Sequence, residues 1–104
     1  MKIRNLTGTI IDVFAIYWFD DETLFLGLPK NHGGFIEYRA TEVSVIEPHI
    51  NFKTVYFENN SKGIFHWALI QESLLDNIIE RNENAYKRFL EIIKSENLVN
   101  PGFY

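Results

Sequence analysis

The chain has no cysteine, which excludes a disulfide framework, a thiolate metal centre, an iron–sulfur cluster and a cysteine nucleophile. It also lacks an excess of base. Ten Lys and Arg stand against 14 Asp and Glu, a net charge of −4, whereas phosphate-backbone binding runs on clustered cations, so no nucleic-acid partner is expected. No stretch approaches the roughly 18 uncharged apolar residues of a membrane span, and no membrane partner is expected. No apolar run follows Lys2 and Arg4 before Gly8 and Asp12, so the first residues do not read as a signal peptide. The expectation is a small, acidic, cytoplasmic protein.

What is present suits a single domain spanning 1–104. A chain of 104 residues buries about 60–68% of its unfolded surface, and 46% apolar residues supply the material. Aromatics are abundant at 15%, with nine Phe, five Tyr and two Trp. They fill a core, and Tyr and Trp also mark protein-binding surfaces.

The hydrophobic period divides the chain into a strand-rich first two thirds and a helical last third. Residues 9–19 are β-branched and aromatic, interrupted only by Asp12, which predicts a strand covered on both faces. Asp20, Asp21 and Glu22 make a polar turn before a returning strand over 23–28. Residues 29–34 form a loop in which Gly33 and Gly34 supply left-handed freedom. Alternation predicts strands over 35–39 and 42–47, stopped by Pro48. Further strands over 52–58 and 64–67 flank the turn 59–63.

From Leu74 the period lengthens to three and four residues through Ile78, Tyr86, Phe89, Leu90 and Ile93. Ser73 with Asp76 reads as a capping box, and Asn82 on the apolar stripe marks a kink or break. Asn97 reads as a left-handed cap, and Pro101-Gly102 forbids continuation. The fold class is therefore α+β: an antiparallel meander or partial β-barrel of about six strands followed by a C-terminal amphipathic helix, with a break near Asn82 as the alternative to continuity.

The candidates for chemistry are few. His32, His49 and His66 lack the spacing of a metalloprotease helix. His32-Gly33-Gly34 precedes a strand rather than the helix that a phosphate loop requires. Ser44, Ser61 and Ser73 lack the strand–turn–helix setting of a hydrolase nucleophile. Asp12 must be exposed, hydrogen-bonded or shifted upward in pKa, and a bulge turning it outward accounts for it without a catalytic role. No catalytic residue, metal ligand or cofactor is expected.

The remaining signal is local acidity with aromatics. Asp20, Asp21 and Glu22 mark one tip, Glu37, Glu42 and Glu47 lie along the next hairpin with Tyr38, and Glu58 adds to the acidic character. Residues 1–68 and 69–104 have the same small negative balance, so the acidity is a matter of clusters.

In size, charge, lack of cysteine and sheet-then-helix order, the chain resembles the immunity proteins of bacterial contact-dependent growth inhibition and related polymorphic toxin systems. The residues that carry the likeness run from Trp18-Phe19-Asp20-Asp21-Glu22 through Gly33–Glu47. The resemblance implies a cytoplasmic protein whose partner is one cognate toxin domain, often a nuclease, which it binds and blocks. The residues expected to bind the toxin are Asp20, Asp21, Glu22, Glu37, Glu42 and Glu58, with Tyr38 and Trp18 as aromatic anchors. Two alternatives stand beside it: a module that captures a peptide on a strand edge, and an enzyme built on Asp12 and the histidines.

Overall fold

In the computed structural model, which describes residues 1–104, the elements are β1 (Lys2–Arg4), β2 (Ile10–Phe19), β3 (Glu22–Leu28), β4 (Ile36–Arg39), a 3-10 turn (Ala40–Glu42), β5 (Ser44–Glu47), β6 (Thr54–Glu58), β7 (Lys62–His66), α1 (Trp67–Gln71), α2 (Leu75–Ile79) and α3 (Glu83–Ser95). The fold is α+β. Seven strands form one antiparallel sheet instead of about six, because Lys2–Arg4, too short to show a period, joins it as β1.

The sheet is neither a plain meander nor a closed barrel. Its main path runs β4-β3-β2-β1-β5, and β7 also pairs with β2. The ten-residue β2 therefore serves two partners along one side, β1 through Ile10–Asp12 and β7 through Ala15–Trp18. The switch occurs at Phe14, where the register with β3 skips between Val13 and Ala15. Such a bulge adds one residue, bends the strand and reverses the facing of the residues beyond it. Ile11 and Val13 enter a small core with Ile3 and Phe25, while Phe14 and Ala15 both enter the main core beneath the helices. This is why the run from Val13 to Tyr17 shows no clean alternation.

The main core joins Leu26, Leu28 and Phe65 of the sheet to Leu69, Ile78, Tyr86, Phe89 and Ile93 of the helices. On the far face, Tyr38, Ala40 and Val43 cover the four-residue core. Two glycines permit close approach in this sheet. A Cβ on Gly63 would lie 2.5 Å from the Tyr17 Cβ and 2.6 Å from the Ile16 carbonyl oxygen, and one on Gly27 would meet the Tyr38 ring at 2.6 Å.

The helical third differs most from expectation. It holds three helices, each ending on a left-handed residue that is not glycine: Ser73, Arg81 and Asn97. Each ending has the same pair of bonds, 6→1 and 5→2: Leu74 to Leu69 with Ser73 to Ile70, Asn82 to Asn77 with Arg81 to Ile78, and Leu98 to Ile93 with Asn97 to Lys94. Asn97 thus has the predicted role. Ser73 does not cap a helix start. It closes α1, and α2 begins at Leu75 with Leu74 before it offering no side-chain cap. The break near Asn82 is present, and Asn82 itself caps α3, its Oδ1 accepting from the Ala85 N–H at 2.9 Å. No helix is long and apolar enough to cross a membrane.

Candidate functional site

The antiparallel register gathers several sequence candidates at one end of the sheet. β2 and β3 meet there in a two-residue turn, with Phe19 opposite Glu22 and both Asp20 and Asp21 at positive φ (48° and 65°). Two positive φ values in succession are the type I′ geometry that matches the twist of paired strands. The β6–β7 hairpin closes at the same end, since Trp18 pairs with Lys62 and Lys62 with Glu58. β4 leaves the sheet there too, Arg39 lying opposite Leu24, and the 3-10 turn carrying Glu42 packs against β3.

Asp20, Asp21, Glu22 and Glu58 are therefore neighbours in space, whereas Glu42 lies on the connection that leads away to β5, where Ser44 pairs with Arg4. Two bases answer them: Arg39 approaches Glu22 at 3.5 Å and Lys62 approaches Glu58 at 4.0 Å. Asp20, Asp21 and Glu42 have no cationic partner within the chain. Four large aromatics remain in water beside them: Trp18 at 45%, Phe19 at 47%, Tyr56 at 59% and Phe57 at 37% exposure. Paired residues share a face, so Trp18, Ile64 and Tyr56 lie on the far side of the sheet and Phe57 lies on the helical side beside Tyr17. Phe19, Tyr56 and Phe57 were not among the expected binding residues. Their signal was in the sequence, as aromatics flanking each acidic turn.

Two expected residues stand apart. Glu37, in the middle of β4, accepts a hydrogen bond from the Tyr17 hydroxyl, and burial together with that bond holds the Tyr17 phenol far above its ordinary value. Tyr38 is half-buried over Gly27 in the small core, and burial pushes its phenol up as well. Both are tied into the sheet.

The histidines are dispersed among separate partners. The Arg81 guanidinium donates to the His32 carbonyl at 2.9 Å and to its Nε2 at 2.7 Å. His49 meets the Glu47 carboxylate at 2.6 Å, and its backbone N–H, with the ring, holds the Glu47 carboxyl below the usual carboxylate value. His66 is wholly buried among Phe14, Phe52 and Phe89, with ring centroids 6.0, 5.0 and 5.2 Å away. Its Nδ1 accepts from the Ala68 N–H at 3.1 Å, capping α1, so the proton sits on Nε2 and is donated to Glu96 Oε1 at 2.6 Å. Trp67 Nε1–H donates to the other oxygen of Glu96 at 2.8 Å.

His66 thus couples the end of β7 to the end of α3. Desolvation lowers its pKa, and Glu96 acts in the opposite direction. Asp12 is paired with Lys2 at 2.8 Å across β1 and β2, and the bulge lies two residues beyond it, at Phe14. No three His, Asp or Glu side chains converge as a cation site. Comparison with family models, with curated proteins and with solved structures finds no match for this chain.

Proposed function

We propose that this chain is an immunity-type binding protein that neutralises a cognate toxin domain by presenting its acidic, aromatic end to a basic surface, a nuclease being the toxin class that carries one. The observation that supports this reading is the meeting of four acids and four exposed aromatics at one end of the sheet. Unpaired carboxylates steer a basic partner, raising association from about 10⁵–10⁶ toward about 10⁸–10⁹ M⁻¹s⁻¹ at low salt. Exposed Trp and Tyr beside them supply the anchors in which binding energy concentrates. Glu37 and Tyr38, tied into the sheet, contribute less than Asp20, Asp21 and Glu58.

The test is co-expression with the product of the reading frame immediately upstream, scored by growth. The wild-type chain protects, and the folded D20K/D21K/E58K variant loses protection. Equal protection by that variant removes the acidic end from the interface.

A second reading has one specific observation in its favour. β6 pairs only with β7, four of its five residues are exposed, and it contains neither Pro nor Lys to discourage a further strand. Capture of a peptide strand on this edge would survive charge reversal and be abolished by Val55→Pro, the opposite pattern.

A further inference from the structure

A groove of about 340 Å³ opens between the β6–β7 turn and the helices α1 and α2. Its inner wall is apolar, made by Phe65 and Leu69 with Phe57 and Leu75 above them, and its rim is polar, with Asn60 and Asp76. Phe57 packs edge-to-face on Phe65 at 6.1 Å and is itself exposed. Asp76 is the one ionisable group in the lining, it is exposed, and no cation of the chain pairs with it.

The groove is continuous with the acidic end. Phe57 and residues 59–61 border both, and the β2–β7 register extended by one pair brings Phe19 abreast of Ser61. We propose that this groove receives an arginine side chain of the protein partner, its methylenes along Phe65, Leu69 and Leu75 and its guanidinium between the Phe57 ring and the Asp76 carboxylate. The proposal rests on the binding function inferred above and names the chemistry of the residue that enters.

Charge and shape select this occupant. A groove of this volume is at the small end of ligand sites and takes one side chain, not a helix. An anion is repelled by Asp76. A purely apolar side chain would strip water from the rim and leave the carboxylate unpaired. Arginine satisfies both halves, because its stem lies on apolar surface while its planar head stacks on an aromatic and forks onto a carboxylate.

The experiment titrates N-acetyl-arginine methylamide into the isotopically labelled full-length chain, followed by amide NMR. The expected result is a saturable response confined to residues 57–61 and 73–76. N-acetyl-norleucine methylamide, which has an apolar stem and no charge, should bind at least about tenfold more weakly, and Asp76→Asn should cost the arginine probe about tenfold. Ser61→Lys, which places a cation on the rim, should weaken it as well while leaving the rest of the spectrum in place. No saturable response, an equal response to norleucine, or unchanged binding by Asp76→Asn each overturns the proposal. Asp76 lies outside the triple-lysine variant. Loss of growth protection in that variant without any arginine response would therefore remove the groove alone, and an arginine response with no protection by the wild-type chain would remove the toxin reading alone.

Discussion

The junction of His66, Trp67 and Glu96 and the two-hairpin end are built from the same residue types, aromatics with carboxylates, and are used in opposite ways. At the junction both ring nitrogens of His66 and both oxygens of Glu96 are occupied, and the histidine is buried. At the end, Asp20 and Asp21 lack cationic partners and the aromatics stand in water. Residue type alone does not separate a structural acid from a binding one. Partnering does, and partnering is set by where β2 sends its two halves.

The sharpest way to test the contrast is truncation on each side. Phe89 is fully buried against Phe14, Phe35 and His66, so Phe89→Ala should cost about 3–5 kcal/mol by urea denaturation. Trp18→Ala should cost less than about 1 kcal/mol, its effect falling on partner binding. Comparable losses would mean that Trp18 belongs to the core after all.

Next in size is the attachment of the end to the rest of the sheet. Gly63→Ala drives a methyl into the Tyr17 Cβ and the Ile16 carbonyl, neither of which can swing aside, and should cost about 1–3 kcal/mol. Gly27→Ala meets the Tyr38 ring, which can turn, and the side chain of Ile11. It should cost less, and the reverse order would show that the β2–β7 contact gives way easily.

The junction itself is probed by Glu96→Gln, expected to cost about 1–2 kcal/mol and to shift Trp67 fluorescence. It also predicts a pH dependence. Burial lowers the His66 pKa in the fold, so from about pH 6.5 down to that lowered value the unfolded chain takes up a proton that the folded chain refuses. Stability is then full above that window and falls as pH drops through it. His66→Asn keeps a capping oxygen for α1 and removes this titration, so the slope below about pH 6.5 should shrink, leaving the contribution of the Met1 amine, whose pKa burial also lowers. The lowered carboxyls of Glu47 and Glu72 act in a separate window, their contribution being lost only below the ordinary carboxylate range.

The smallest effect has the opposite sign. Asp20 and Asp21 occupy left-handed positions that Asn-Gly fills with less strain, so Asp20→Asn with Asp21→Gly should stabilise the chain by about 0.5–1 kcal/mol. On the binding reading the same pair should slow association. A gain in stability with no loss of binding would separate the turn from the interface.

Much of the fold was legible in the sequence, and the missing parts share a cause. The acidic tip, the strand-to-helix change of period, the break at Asn82 and the cap at Asn97 rest on local chemistry, which short segments display. β1 is too short for a period, and Ser73 and Arg81 take left-handed positions without the glycine that would announce them. The branching of β2, the intimacy at Gly63 and the groove beside Phe57 arise from segments far apart in the chain. His66 reads in the sequence as a strand residue bonded to a neighbour. That its partner is Glu96, thirty positions on, is information only the tertiary fold contains.

The extra residue at Phe14 leaves β2 one residue longer than its pairing requires. Val13 and Ala15 already lie opposite the adjacent Gly27 and Leu26, so removing Phe14 would restore simple alternation and leave Tyr17 on the helical side and Trp18 on the far one. What that deletion would take away is the ring that packs on Phe52, His66 and Phe89. A single-residue deletion between Ala15 and Trp18 has no such slack to draw on, and it would rewrite which aromatics the outside world meets.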